Sequence, residues 1–453
     1  MIFNSLPFLF LFLPIILLAF FSCKSENFRI GILLSGSLMF YAVSGLEHAA
    51  ILVVGIVWTY AISASDAIKG SWVRLSLAIA GPLFALFYYK YFGFVLETLA
   101  GRTNGVAAFS LFESIILPAG ISFFTFQLVA YAIDRFRGEI QKPPAFARFA
   151  LYVSFFPQLV AGPILRFHQV SEPISRLSTF TLNHHAAMQA IAYIVAGLAL
   201  KVLLADTLGN YNGVWIDHSE NLTASTAVFV LLAYSFQIYY DFFGYSLIAI
   251  GLGKLFGFDF PNNFLRPYQS RNIKDFWRRW HITLSFWIRD YLYLPLGGNR
   301  YYARNILIVF AICGLWHGAG FPFIVWGLYH GCLVALYNVT ARFWDAMPNL
   351  IQVSLTFLLV SLGWTLFVFD FQDAITFFTS LAGFGTGLAP TPNIEHWTVL
   401  ALAAFVCFVP GLETALARAG SNATWRDAVI YAGFAVAVLL FLNRSHTFIY
   451  FRF

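Results

Sequence analysis

Apolar runs of membrane-crossing length recur along the chain, near residues 6–22, 28–45, 48–65, 72–95, 111–133, 146–165, 186–205, 224–252, 305–317, 321–341, 351–369, 397–416 and 428–443. A bilayer-spanning helix needs about 20 such residues, and Gly or Pro interruptions make some runs readable as one crossing or as part of one. The pattern predicts an all-α polytopic membrane protein of about eleven to thirteen transmembrane helices. Between the runs no stretch is long enough for a soluble domain. The longest plainly polar one, Gly209 to Thr223, reads as a loop, and neither a repeat nor a low-complexity linker is visible. A single membrane domain over residues 1–453 is the economical expectation.

Composition removes the alternatives. Of 453 residues, 60% are hydrophobic and 11% charged, against about 45–50% and about 25% in soluble proteins. Too few polar side chains remain to cover a water-facing surface, which excludes a soluble enzyme, a disordered chain and a disulfide scaffold. The run Leu6 to Phe21 lacks a basic leader and a small-residue cleavage site, so it reads as a retained span. Lys24 and Arg29 follow it, which by the positive-inside rule places the N-terminus outside the cytoplasm.

Charge is local. Between Lys254 and Arg304 lie nine Lys/Arg against three Asp/Glu, a surplus equal to the +6 of the whole chain; the other 18 basic residues are matched by 18 acidic ones. A generally cationic, nucleic-acid-binding surface is therefore not expected. The four cysteines, Cys23, Cys313, Cys332 and Cys407, show no C-x-x-C spacing and read as packing residues rather than a metal or redox site.

Two regions depart from ordinary spans. In Lys274 to Tyr291, Trp277, Trp280, Leu284, Trp287 and Tyr291 recur every three or four residues, and Lys274, Arg278, His281, Ser285 and Arg289 do so on another face. This predicts a helix with one aromatic and one cationic face, for which a juxtamembrane anchor is the simpler reading and the rim of a cavity the more consequential one. The second region, Asn305 to Ala341, is 37 residues without Asp, Glu, Lys or Arg, broken by Gly318-Ala319-Gly320 and Pro322. His317 stands at the break. Irregular backbone at membrane depth is tolerated only inside protein or beside a watery cavity, and an ionisable residue there is a functional candidate. The alternative is a neutral histidine bonded to a neighbouring helix. His330, on an unbroken apolar run, reads as structural. Asp241 is a second intramembrane ionisable group, and a buried carboxylate requires a partner that the sequence does not reveal.

No H-E-x-x-H, P-loop or persuasive nucleophile elbow occurs, and Gly251, Gly253 and Gly257 have the wrong spacing for a dinucleotide site, fitting helix packing or a helix exit. The runs Phe264-Leu265-Arg266-Pro267-Tyr268, Asp275 to Ser285, Arg289 to Arg300 and Trp316-His317-Gly318 resemble those of the membrane-bound O-acyltransferases, and within them the bacterial branch that acetylates alginate. Leu117 to Gln127, Phe155 to Ile164 and the closing Phe448 to Phe453 agree, so the resemblance spans essentially the whole chain. It departs at Leu247, where the pattern has an acid, and in a short loop after Arg300.

The resemblance implies a helical bundle with re-entrant or interfacial helices around a central cavity. It also implies transfer of acetyl from cytoplasmic acetyl-CoA across the bacterial inner membrane to an exported, alginate-like polysaccharide. His317 matches the family's essential histidine and His281 its supporting position. No metal is implied. An extracytoplasmic hydrolase-like acetyltransferase and polysaccharide-synthesis proteins are the implied partners. Charge adds Arg278, Arg279 and Arg289 as candidates for the phosphates of the donor. Burial would keep His317 neutral and proton-accepting, with the broken backbone or the His281 ring as oxyanion donors. Rival readings are D-alanyl transfer to teichoic acid from a carrier protein, and a transporter without catalysis.

Overall fold

The computed structural model describes residues 1–65, 71–100, 116–409, 411–419, 424–444 and 448–449. Helices follow one another along the chain, and no strand occurs among the described residues. Helices satisfy their own backbone hydrogen bonds, which hydrocarbon cannot do for them. Six helices among the described residues are long and apolar enough to cross a bilayer: Leu46–Ala64, Ser71–Leu99, His184–Ile216, Ala224–Leu255, Phe321–Asp345 and Asn349–Val368. The chain is a multi-pass membrane protein. Other apolar runs form shorter helices, and the run at 146–165 is interrupted at Phe155, φ −55° and ψ 112°, after which Pro157 sits in the first turn of the short helix Phe156–Leu159.

The chain divides into two compact units, Met1–Ala190 with Ala249–Pro261, and Ile191–Ile248 with Asn262–Phe453. In the first, α1 (Leu13–Ser22), α2 (Glu26–Ala42), α3 (Leu46–Ala64), α4 (Ser71–Leu86), α5 (Ile121–Arg137) and α6 (Phe146–Ser154) pack around aromatic residues. Phe3, Phe8, Phe12, Phe40 and Phe156 form one cluster with ring centroids 5.0–6.2 Å apart. Arg29 is buried there and donates to the carbonyls of Cys23, Leu177 and Phe180. Its cation lies over the Phe20 ring at 4.7 Å.

The long helix His184–Ile216 comprises α7 (His184–Ala199), a π-helical turn Leu200–Ala205, and α8 (Asp206–Ile216). The polar stretch expected to be a loop from Gly209 is therefore helical as far as Ile216. From this stretch Asn212 Nδ2 donates to Gln237 Oε1 of α9 (Ala224–Leu255) at 3.2 Å. Close approach is enforced by Gly197 and Gly244, since a Cβ on either would strike the other's carbonyl oxygen. As expected for a helix exit, α9 ends just before Gly257, which takes φ +87°.

Candidate active site

The predicted two-faced helix is two short helices, α10 (Ile273–Arg279) and α11 (Ile282–Ile288), separated by Trp280 and His281. His281 adopts φ 45°, ψ 55°, and with Arg266 it is one of two non-glycine residues at positive φ among the described residues. Such a conformation costs energy in an L-residue and persists only where the surroundings impose it. Its effect is to take His281 off the cationic face: His281 and Trp280 are 0% and 1% exposed, whereas Arg278 and Arg289 are exposed.

Asn263 holds the imidazole. Its Oδ1 accepts from the Thr283 backbone N–H at 3.2 Å and the Thr283 hydroxyl at 3.0 Å, and lies 3.2 Å from His281 Nδ1. A backbone N–H only donates, so this atom is the amide oxygen and His281 Nδ1 must carry the proton. Nε2 is then the lone-pair nitrogen. The His281 ring, as a neutral tautomer, accepts at Nε2 and is not the oxyanion donor that the sequence left open. Burial pushes its pKa down to about 3, keeping it neutral.

His317 is the last residue of α12 (Tyr302–His317); Gly318 and Gly320 are extended, and α13 (Phe321–Asp345) begins with Pro322 in its first turn. The break is where the glycines and proline predicted it. A Cβ on Gly318 would run into the Phe323 ring. On either side of the break, Gly314 and Gly327 press α12 and α13 backbone to backbone, a Cβ on either striking a carbonyl of the other helix. His317 is 3% exposed, and its ring packs at 4.8 Å from Trp316, 5.1 Å from Trp326 and 5.2 Å from Phe367 on α14 (Asn349–Val368). The Trp316 ring also meets that of His281 at 6.0 Å. One indole thus contacts both sequence-nominated histidines. Trp280, Trp326 and Trp364, all fully buried, complete a water-excluding aromatic wall.

The cationic candidates are placed less specifically. Arg279 Nε donates to Asp275 at 2.9 Å and Arg289 Nε to Asp290 at 2.6 Å. Lys274 donates to Asn338 at 2.7 Å and lies over the Tyr302 ring. His330 is fully buried among Trp277, Trp326 and Trp364, in keeping with a structural role. Among the described residues no group of three His, Cys, Asp or Glu side chains is arranged to hold a metal ion.

What sequence reasoning missed is the partner of Asp241. Lys201, in the π-helical turn, reaches Asp206 Oδ1 at 2.5 Å and Asp241 Oδ1 at 2.6 Å, all three side chains nearly fully buried. Asp241 Oδ2 also accepts the Ile449 N–H at 2.7 Å. A lysine inside the apolar run 186–205 was the available signal.

Residues 75–369 match the family model for MBOAT, the membrane-bound O-acyltransferase family. A protein named "probable alginate O-acetylase" from Pseudomonas syringae pv. tomato is 38% identical over 81% of this chain and 72% of its own length. A peptidoglycan O-acetyltransferase of Helicobacter pylori is 34% identical over 81% of this chain and 77% of its own. A teichoic acid D-alanyltransferase of Bacillus subtilis is 29% identical over 56% of this chain and 69% of its own.

Proposed function

We propose, from the premise that this chain belongs to the membrane-bound O-acyltransferase family and is an acyltransferase, that it moves acetyl from cytoplasmic acetyl-CoA across the membrane for O-acetylation of an exported polysaccharide. In this reading residues 1–453 form one catalytic domain of about eleven to thirteen crossings in a bacterial inner membrane. An extracytoplasmic hydrolase-like acetyltransferase receives or completes the transfer. The relatives named for O-acetylation of alginate and peptidoglycan support acetyl as the group and a cell-envelope polymer as its destination. Arg278, Arg279 and Arg289 are proposed to draw in the anionic donor.

The observation that carries the proposal is a buried imidazole at the end of a broken helix, joined through Trp316 to a second histidine of fixed tautomer. An alcohol does not ionise unaided near neutral pH, so its attack on a thioester needs a base within about 2.6–3.2 Å. His317 is assigned that proton. His281 Nε2 accepts a second hydrogen bond that orients the reacting groups. As the alkoxide oxygen bonds to the acetyl carbon, negative charge grows on the carbonyl oxygen, and the Ala319 N–H at the break is assigned to stabilise it. Collapse expels the CoA thiolate, which takes up the proton held by His317.

Replacing His317 by Ala should lower acetyl ester on secreted polymer about 10²- to 10⁴-fold, with the protein at normal membrane levels. Near-normal acetylation would remove the assignment. Membranes should label from acetyl-CoA and not from a D-alanylated carrier, and CoA release in detergent should separate an acyltransferase from a transport conduit.

A further inference from the structure

A cavity of about 770 Å³ lies in the first unit, and no residue given a catalytic role lines it. Its walls are Ala50 to Trp58 of α3, and Ala80 to Tyr89 of α4 and the π-helical turn that extends it (Phe87–Tyr91). Its floor is Phe124 and Leu128 of α5, both buried. Apart from the Trp58 indole and the Tyr88 and Tyr89 hydroxyls, no lining side chain is polar.

The space follows from how α3 and α4 meet. Pro82 has no N–H to give the Ala78 carbonyl. Thr59 Oγ1 lies 3.5 Å from that carbonyl oxygen, and Trp58 Nε1 donates to Leu77 O at 2.8 Å. The Trp58 ring covers Gly81, where a Cβ would strike it. These contacts pin the two helices at one level, and Arg74 donating to Ser65 O at 3.3 Å continues the antiparallel pairing beyond it. In the other direction the facing residues Ala50, Gly55, Ala80 and Ala85 are too small to close the gap. The result is a wedge, blind at Trp58. It runs about 12 Å along α3, at 1.5 Å per residue, to Ala50, about one turn from the start of that helix. Tyr88 and Tyr89 line this far end of α4.

We propose that the wedge is a lipid site and takes one acyl chain of a bilayer phospholipid. Both wall helices are membrane spans that bury little of themselves in protein, and the rim residues Val54 and Phe84 are exposed, so lipid is the medium the wedge opens to. A partner helix crossing the bilayer would need a groove of about 30 Å, whereas this one stops at Trp58; a hydrocarbon chain can end inside it. Tyrosine rings favour the headgroup level, and the Tyr88 and Tyr89 hydroxyls are assigned to the ester carbonyls of the bound lipid. A chain leaving bulk lipid gains nothing from the hydrophobic effect. The preference comes from ring and methyl contacts in a space whose walls otherwise lack partner atoms, and from the two hydroxyls.

The test uses the full-length protein in vesicles of phosphatidylethanolamine and phosphatidylglycerol, with a tracer phosphatidylcholine carrying a photoactivatable diazirine on one acyl chain. Adducts formed on illumination are mapped by peptide mass spectrometry. Those on residues 50–58 and 80–89 should exceed, about tenfold per residue, those on Leu336, Val339 and Phe343, exposed positions of α13 that report the bulk bilayer. Ala85→Phe and, from the opposite wall, Ala50→Phe each put a ring into the wedge and should bring the wall signal down to the α13 level, with the α13 signal unchanged. Ala85→Ser, nearly the same size, should keep the wild-type signal. Wall labelling in the wild type no higher than on α13 would overturn the proposal and mean that protein covers the wedge; this comparison stands even if a variant fails to fold. Wall labelling that persists in both folded Phe variants would overturn it as well.

Discussion

The two units bury ionisable groups in different ways. In the first, Arg29 gives its donors to three backbone carbonyls and its face to an aromatic ring. Every contact is internal, and the guanidinium acts as a cross-link between the end of α1 and the segment at 177–180. In the second, Lys201 is paired with Asp206 and Asp241 beside a cavity, and His281 and His317 are buried against shared aromatic rings. The contrast separates burial that closes a structure from burial that gathers ionisable groups at one place, as the proposed chemistry requires. Pairing keeps the buried charges in place, and burial keeps the His281 imidazole neutral.

The largest effect should come from breaking the pairing. Lys201→Met strands two carboxylates in the interior and should destabilise the protein by about 3–5 kcal/mol, seen as a lower melting temperature and yield; adding Asp241→Asn should recover part of the loss. Arg29→Met tests the other unit. It leaves carbonyls without donors, costing roughly 1–3 kcal/mol, and CoA release per folded molecule should stay at the wild-type level. A fall in turnover out of proportion to stability would erase the distinction drawn between the units. Asn263→Ala frees the His281 tautomer and should lower turnover per folded molecule roughly tenfold or more, with a stability loss of roughly 1–3 kcal/mol from the Thr283 N–H left without its acceptor, whereas Asn263→Asp, which keeps an acceptor for Nδ1–H, should recover much of both.

The smallest effect concerns pH. The His281 imidazole takes up a proton near 6.5 when unfolded and near 3 when folded. Between those values the unfolded chain binds more protons, so stability falls as pH falls. From pH 7 to 5.5 that single group should remove about 1 kcal/mol, a loss absent in His281→Asn. An identical pH slope in wild type and variant would mean that the ring is not buried as described.

The sequence reveals the break at His317 because glycine and proline announce a change of backbone at the position where it occurs. His281 was legible as a residue but not as a conformation. The tryptophan and arginine spacing runs through Trp280-His281 as though the helix continued, and one left-handed residue leaves no mark on such a pattern. Asn263 was hidden because its role is to satisfy a turn and a ring at once, which only folding brings together. Gly209 to Ile216 looked like a loop because it is polar. It is helical, with Asn210 and Ile216 lining a cavity instead of lipid, and hydropathy does not distinguish a polar interior from an exterior. Lys201 was overlooked within an apolar run, its second carboxylate lying 40 positions further along the chain.

The π-helical turn Leu200–Ala205 has a consequence for how this helix tolerates change. A turn of that kind carries one residue more than an α-turn, and each α-helical residue advances about 100° around the axis. Lys201 and Asp206, five positions apart, meet across this turn; in regular α-winding five residues advance about 500°, which would set the two side chains about 140° apart around the axis. The wider turn is thus what lets the cation and Asp206 share a face, and straightening it without shortening the chain would part them.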